Sequence, residues 1–184
     1  MTAAQADNED ALKSLPPSLA ARGFALRPES DEDIPFLRRL YASTRAAELA
    51  QTGWSDAQKL AFTDSQFDFQ RRHYQTYYPA TQWSVLEDNG VPIGRLYLER
   101  RATTLLVIDI ALLPQWRGRG LGTALMEWVG AQAQAAGKSV TVAVEKDNRA
   151  QTLYRRLGFR EISDHGVHWD MEWGAAADAR TNDA

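Results

Sequence analysis

Residues 117 to 122 read Arg-Gly-Arg-Gly-Leu-Gly and decide how the chain around them folds. A mostly apolar run from 105 to 112 comes before this stretch, and residues 123 to 136 have the spacing of a helix. A strand, a glycine-rich loop and a helix start therefore follow one another. Three alternate glycines let backbone N–H groups converge on one anion, and the helix dipole, Arg117 and Arg119 add positive charge. The stretch predicts a site for a phosphate or pyrophosphate group.

Two common nucleotide-binding loops fit this stretch less well. A Walker A loop ends in Gly-Lys-Ser/Thr, and residues 117 to 122 contain no lysine. A dinucleotide loop has the spacing Gly-x-Gly-x-x-Gly directly behind a strand, whereas these glycines are at every second position and residues 114 to 117 intervene. Glu145 ends the next apolar strand and would be the acidic residue of that motif. A dinucleotide site therefore stays an alternative.

Composition indicates one globular domain without nucleic acid or membrane as partner. The chain has 184 residues, of which 44% are hydrophobic, enough for one core. A net charge of −3 predicts no basic surface for nucleic acid, and the lack of cysteine excludes disulfides and cysteine chemistry. We find neither a signal peptide nor an apolar run of membrane-spanning length, so we expect a cytoplasmic protein. His73, His165 and His168 lack metal-ligand spacing, so we expect no metal site.

Local signals predict the helices and turns. Ser30 is a candidate cap for a helix over about 31–50, and Ser55 with Gln58 forms a capping box for a second helix that stops at Pro79. The sequence Asp-Asn-Gly at 88 to 90 indicates a tight turn between two strands. Gly158 ends a short helix that covers about 148–157.

These signals predict the order β-α-α-β-β-β-α-β-α-β-β. The fold class is α/β with a mixed sheet and helices on both faces. We expect a single domain over residues 23–173, preceded by a flexible leader at 1–22 and followed by a flexible tail at 174–184.

Two motifs give the chain a resemblance to a known family. Arg117, Gly120 and Gly122 match the pattern Arg/Gln-x-x-Gly-x-Gly/Ala. Downstream, residues 148 to 159 read Asn-Arg-Ala-Gln-Thr-Leu-Tyr-Arg-Arg-Leu-Gly-Phe, and a weaker third match is Leu-Arg-Pro at 26 to 28. Together these motifs resemble the Gcn5-related N-acetyltransferase (GNAT) family. Many members place the asparagine one residue further from the Leu-Tyr pair, so either Asp147 or Asn148 holds the ligand-facing position.

The resemblance implies acetyl-CoA as cosubstrate and a splay between the fourth and fifth strands. The pantetheine arm would pair with unpaired backbone groups of the fourth strand like an added strand. By resemblance, the backbone contacts come from Ile110, Ala111 and Leu112. The pyrophosphate loop would consist of Arg117, Gly118, Arg119, Gly120, Leu121, Gly122 and Thr123.

The activity that the resemblance implies is direct transfer of an acetyl group to an amine. In the family, the tyrosine at the position of Tyr154 lies near the thioester sulfur and donates a proton to the departing thiolate. The alternative for Tyr154 is a core residue of an amphipathic helix. Asn148 is expected near the pantetheine, and a helix cap is its alternative, compatible with the first role. A catalytically silent acyl-CoA-binding module is a further alternative for the whole chain.

The base and the acceptor site are predicted from isolated side chains. Asp109 interrupts an apolar strand, where an unpaired carboxylate is costly, so it either faces the site as a base or pairs with Arg95. Glu145 is a second candidate for the base. Trp54, Glu145 and His168 are candidates for the acceptor pocket. The acceptor amine is left open, as is a homodimer.

Overall fold

The computed structural model describes residues 15–174, which divide into two compact units. Within the described residues, the first unit comprises the chain up to Leu96 together with Ile110–Arg117, and the second comprises Tyr97–Asp109 and the chain from Gly118 onward. The third and fourth strands each contribute one part to each unit. The single domain over residues 23–173 stays a prediction.

The helices and strands follow the predicted order, after one short additional helix. The helices are α1 (Pro17–Ala20), α2 (Ile34–Leu49), α3 (Asp56–Tyr77), α4 (Leu121–Ala135) and α5 (Ala150–Arg156). The strands are β1 (Phe24–Pro28), β2 (Thr81–Asp88), β3 (Val91–Arg100), β4 (Thr104–Leu112), β5 (Ser139–Glu145), β6 (Arg160–Asp164) and β7 (His168–Trp173). The seven strands form one mixed sheet in the order β1-β2-β3-β4-β5-β7-β6, in which β4 and β5 are parallel. The predicted fold class is confirmed.

Capping side chains set the starts of α2 and α3. The Ser30 N–H donates to Asp33 Oδ2 at 2.8 Å, and the pair forms a capping box over a single 3-10 turn at Asp31–Asp33. The predicted helix therefore begins with this tighter turn, and its α-helical part starts at Ile34. The predicted capping box of α3 is confirmed, because the Ser55 N–H donates to Gln58 Oε1 at 2.9 Å.

The predicted hairpin turn between β2 and β3 is also confirmed. Asn89 and Gly90 both have positive φ, at 47° and 80°. Two successive residues with positive φ are what a two-residue hairpin with the right-handed strand twist requires.

The core of the first unit holds the end of β4 in place. Side chains of α2, α3 and β2 form one buried cluster, and Ala111 and Leu113 pack against it. The members of this cluster are Phe36, Leu37, Leu40, Tyr41, Phe67 and Val85. On β3, Gly94 lies so close to Ala111 that an added Cβ would come within 2.6 Å of the Ala111 carbonyl oxygen. The backbone at the end of β4 is therefore fixed from two directions.

In the second unit, Trp173 packs against two glycines. A Cβ on Gly130 of α4 would lie 3.3 Å from the Trp173 ring, and one on Gly158, after α5, would lie 3.5 Å from it. Gly158 has a φ of +89°, as predicted for the residue that ends the short helix. Alternate residues of β5, namely Val140, Val142 and Val144, are buried.

The described part of the predicted leader packs on the chain. Leu15 and Leu19 are buried. Helix α1 begins at Pro17, and Pro16 is its N-cap residue. Residues 15 to 22, the last part of the predicted leader, thus include two buried leucines, while the bounds of the domain stay a prediction. Residues 1–14 and 175–184, which include most of the predicted leader and tail, lie outside the described residues. Among residues 15–174, no helix is both long enough and apolar enough to cross a membrane.

Candidate functional site

The parallel pairing of β4 with β5 ends midway along both strands. The registered pairs run from Thr104 with Ser139 to Val107 with Val142. Strand β4 continues to Leu112 and β5 to Glu145. On the side of β4 that faced β5, backbone groups beyond Val107 therefore need a different partner. The ladder therefore ends where a splay between the fourth and fifth strands was expected.

The glycine-rich loop begins α4 in a conformation that suits an anion. Gly118 and Gly120 have φ values of +70° and +79°, where glycine costs least. Gly120 is the N-cap of α4, and the first hydrogen bond of the helix runs from the Ala124 N–H to the Gly120 carbonyl at 3.0 Å. The N–H groups of the preceding three residues have no acceptor within the helix. A Cβ on Gly118 or Gly120 would meet nothing within 4 Å among the described residues, so the space beside the loop is open.

The Arg117 side chain has hydrogen-bond partners inside the first unit. Its Nε donates to the Leu112 carbonyl at 2.7 Å, and a terminal nitrogen donates to Ser43 Oγ at 2.8 Å. Burial lowers the pKa of this guanidinium from its ordinary value. The side chain thus ties the start of the loop to the end of β4, which differs from the expectation of charge directed at a phosphate. Arg119 is exposed.

A second arginine lies at the start of α4. Arg156, on α5, donates to Thr123 Oγ1 at 3.0 Å. The sequence motifs gave Arg156 no role, because it is more than 30 residues from the loop along the chain. The sequence shows two adjacent arginines, Arg155 and Arg156, on this helix. Only the packing of α5 near α4 shows that Arg156 is the one that reaches Thr123.

Tyr154 is a buried phenol close to a carboxylate. Its side chain lies on α5 with 3% of its surface exposed, and its ring is 5.5 Å from that of Phe159. Burial, and secondarily the negative charge of Asp109, raises the pKa of Tyr154. The phenol therefore keeps its proton at neutral pH. Both Tyr154 and Asp109 belong to the second unit, and Asp109 lies on β4 beyond the last registered pair with β5.

Asn148 lies directly before α5 and accepts hydrogen bonds from its first turn. Its Oδ1 accepts from the Ala150 N–H at 2.9 Å, and its carbonyl accepts from the Gln151 N–H at 3.1 Å. The N-cap residue of the helix is Arg149, so a capping role of Asn148 stays a prediction. A contact with pantetheine stays a prediction for Asn148, as it does for Asp147.

Two of the three predicted acceptor residues are neighbours. Glu145 at the end of β5 is paired with His168 at the start of β7 in the antiparallel register. Trp54, in the first unit, is 41% exposed and its ring makes an edge contact with Phe62 at 5.2 Å. Arg95, the alternative partner considered for Asp109, donates to Gln70 Oε1 at 2.8 Å.

Two of the three histidines lie side by side, although their spacing in the sequence gave no sign of a metal site. His165 and His168 stack with ring centroids 5.1 Å apart, and His165 Nε2 is 3.0 Å from Asp170 Oδ2. Gly166 in the turn between the two strands was a usable signal, since a tight hairpin turn brings its flanking residues face to face.

Comparison with known proteins gives a domain match and a set of similar folds. A family model described as an acetyltransferase (GNAT) domain matches residues 79–161. Among solved structures, the PaiA N-acetyltransferase of Thermoplasma acidophilum, in complex with coenzyme A, is similar with a TM-score of 0.61 and 16% identity, over 83% of this chain and 99% of that chain. An acetyltransferase from Thermus thermophilus has a TM-score of 0.58 and 20% identity, over 82% of this chain and 96% of that chain.

A third similar structure contains an acceptor mimic. Arabidopsis thaliana Naa50, in complex with the bisubstrate analogue CoA-Ac-MVNAL, has a TM-score of 0.51 and 14% identity, over 83% of this chain and 99% of that chain. At these identities the solved structures establish a common fold. The chain therefore contains a match to the acetyltransferase (GNAT) domain over residues 79–161 and has the fold of these acetyltransferase structures.

Proposed function

We propose that the protein transfers an acetyl group from acetyl-CoA directly to an amine. The observation that carries this proposal is the buried, protonated Tyr154 phenol, which lies near Asp109 in the same unit as the glycine-rich loop. A protonated donor is what a departing thiolate requires. A silent acyl-CoA-binding module would have no need of such a donor.

The loop supports binding of the diphosphate of acetyl-CoA. Open N–H groups at the start of α4 and the two glycines with positive φ suit an anion. Arg156 adds a guanidinium beside Thr123, and Arg119 adds a second positive charge. Coenzyme A in a similar structure, that of the Thermoplasma acidophilum enzyme, agrees with this assignment. The backbone of Ile110–Leu112 would then take the pantetheine amides in place of the β5 ladder.

The chemistry needs two proton transfers. The neutral amine nitrogen forms a bond to the thioester carbonyl carbon, and the carbon–sulfur bond breaks as the thiolate leaves. Tyr154 donates its proton to that thiolate, and the Asp109 carboxylate takes the proton released by the amine nitrogen. The reaction then proceeds without an acyl-enzyme, consistent with a chain that contains no cysteine.

The acceptor is an amine whose identity the chain does not specify. Glu145 at the end of β5 and the exposed Trp54 are the residues we assign to acceptor binding. The Glu145 carboxylate would favour an acceptor amine that binds in its protonated, positively charged form. A cytoplasmic location stays a prediction from composition.

Release of coenzyme A thiol in the presence of amines tests the proposal. The full chain with acetyl-CoA is presented with peptide N-termini, polyamines, amino acids and aminoglycosides. We expect thiol release that depends on one of these amine classes, with the acetylated amine identified by mass spectrometry. Acetyl-CoA binding by calorimetry without thiol release for any amine class would instead support the silent binding module. Absence of acetyl-CoA binding would contradict the proposed function itself.

A further inference from the structure

The hairpin between β6 and β7 gathers three potential metal ligands. His165, His168 and Asp170 each offer one ligand atom, and these atoms all lie within 4.8 Å of one another. His165 is exposed, whereas His168 and Asp170 are half-buried. The cluster was not expected from the sequence, in which the histidines lack metal-ligand spacing.

Strand geometry places the three side chains on one face of the hairpin. Ser163 pairs with Asp170 and Asp164 with Trp169, and the His165 N–H donates to the His168 carbonyl at 3.0 Å, which continues the same register. Residues directly opposite each other share a face, and residues two apart on a strand share a face. His165, His168 and Asp170 therefore project together because of the register itself.

Lys146 lies on the opposite face of the hairpin. Lys146 Nζ is 2.7 Å from Asp164 Oδ1 and 4.0 Å from the centre of the Trp169 ring. Asp164 and Trp169 are a registered pair and thus share the other face. The Lys146 ammonium group contacts Asp164 and Trp169 on that face, so it does not neutralise the charge of Asp170. On the face of the cluster, β5 contributes Glu145, which is paired with His168 and adds negative charge.

The distances suit a small transition-metal ion. Ligands on a tetrahedral Zn²⁺ lie about 3.3 Å apart, since bonds of about 2.0–2.1 Å meet near the tetrahedral angle. His165 Nε2 and Asp170 Oδ2, at 3.0 Å, are already close to that separation. Two imidazoles and one carboxylate are a ligand set that Zn²⁺ prefers, with one position left for water or another ligand.

We propose that His165, His168 and Asp170 form a Zn²⁺ site at the β6–β7 hairpin, separate from the acetyl-CoA site. The ion would link His165 and His168, which flank the turn, to Asp170, the next residue on the same face of β7. It would thereby fix a hairpin that ends in the exposed residues Gly166 and Val167. This proposal does not depend on the proposed acetyl transfer, because binding is measured without either substrate.

Calorimetric titration of the full chain with Zn²⁺ at neutral pH tests the site. We expect one equivalent to bind, and His168→Asn and Asp170→Asn each to weaken binding at least about a hundredfold, since even outer-shell changes cost about 10- to 100-fold. The chain contains three histidines and no cysteine, so His73→Asn on α3 is a matched control that should bind like the wild type. The ring nitrogen signals of His165 and His168 should shift on binding, and that of His73 should not.

Two results would overturn the proposal. One is a wild-type chain without saturable Zn²⁺ binding, which would make His165 and Asp170 a simple hydrogen-bonded pair. The other is equal weakening by His73→Asn and by the hairpin variants. His165→Asn, at the exposed end of the turn, replaces His168→Asn if the latter does not fold, and folding is checked by the melting temperature without metal.

Discussion

At the scale of single residues, Tyr154 carries the mechanistic test. Tyr154→Phe keeps the buried ring beside Phe159 and removes only the proton donor. We expect turnover to fall about a hundredfold, at the low end of the range for loss of a general acid, because coenzyme A thiolate is a fair leaving group. Acetyl-CoA affinity and melting temperature should change little. Single-turnover kinetics measure the chemical step without product release.

Tyr41→Phe is the control for this change. Tyr41 is another buried tyrosine, packed edge to face on Phe67 in the core of the first unit. Its variant should retain the wild-type rate per folded molecule. If Tyr154→Phe does the same, Tyr154 is a core residue and has no part in proton transfer.

Arg156 tests the contribution of α5 to phosphate binding. Its guanidinium lies at the start of α4, where it donates to Thr123 Oγ1. We expect Arg156→Gln to weaken acetyl-CoA binding about tenfold, since hydrogen bonds to charged groups contribute about 1.5–3 kcal/mol. Arg155→Gln is the matched control, because the neighbouring Arg155 pairs with Glu161 at 2.6 Å. Calorimetry that gives equal affinities for both variants would exclude Arg156 from the site.

The ion pair of Asp33 with Arg27 should make the free energy of unfolding depend on pH. Hydrogen bonds from Arg27 lower the pKa of Asp33 from 3.8 to about 2. Because the pKa is lower in the folded chain, this pair stabilises the fold above about pH 4, and the contribution is lost as the pH falls from about 4 to about 2. Its size is about 1–2 kcal/mol after allowance for the solvent exposure of Arg27.

Denaturant unfolding of Asp33→Asn at two pH values measures this contribution. At pH 5 the variant should be less stable than the wild type by the amount given above, and near pH 2 the difference should vanish. Asp31→Asn, at an exposed position of the same 3-10 turn, should show no comparable change between the two conditions. A difference for Asp33→Asn that is independent of pH would contradict the assigned ion pair.

At the scale of elements, the loop before α4 can be compared with the end of the same helix. Gly120 and Gly137 have similar φ values, +79° and +65°, and a Cβ at either meets nothing within 4 Å among the described residues. Asp at either position should cost about 1–2 kcal/mol of backbone strain. Only Gly120→Asp places a carboxylate at the proposed phosphate site, so only this variant should lose acetyl-CoA binding. Equal affinities by calorimetry would contradict the site.

The elements were predictable wherever a local signal defines an end. The capping box of Ser55 and the Asn89-Gly90 turn were confirmed, and the apolar run from 105 to 112 lies within β4. Helix α1 was missed because residues 1 to 20 are rich in Ala, Asp and Asn and contain Pro16-Pro17, whereas the helix is only four residues long and depends on the burial of Leu15 and Leu19. Local sequence does not contain that tertiary information.

The site was predictable only where family motifs mark it. Gly120 and Tyr154 belong to such motifs, and the structure gives them a positive φ and a buried phenol. Arg156 and the pair of His165 with Asp170 depend on how elements pack or register. A side chain whose partner is distant along the chain has no periodic signature, so spacing alone did not identify these contacts.

For the whole molecule, ligand linkage is the broadest test of function. A ligand that binds only the folded chain stabilises it by about 2.7 kcal/mol at a hundredfold excess over its dissociation constant. We expect acetyl-CoA and coenzyme A to raise the melting temperature accordingly, and NAD to have no effect. A rise with NAD alone would instead favour the dinucleotide alternative.

In heavy water, the two halves of β4 should exchange their amide hydrogens at different rates. Successive N–H groups of a strand point to opposite sides, and on the β5 side the registered pairs end at Val107. Before that residue, exchange requires the sheet to open, whereas from 108 to 112 every second amide turns toward the side where the ladder has ended. Fast and slow amides should therefore alternate along this stretch, and the alternation should disappear when a pantetheine arm occupies the strand edge. Such a pattern would locate the cosubstrate on the backbone without altering a single side chain.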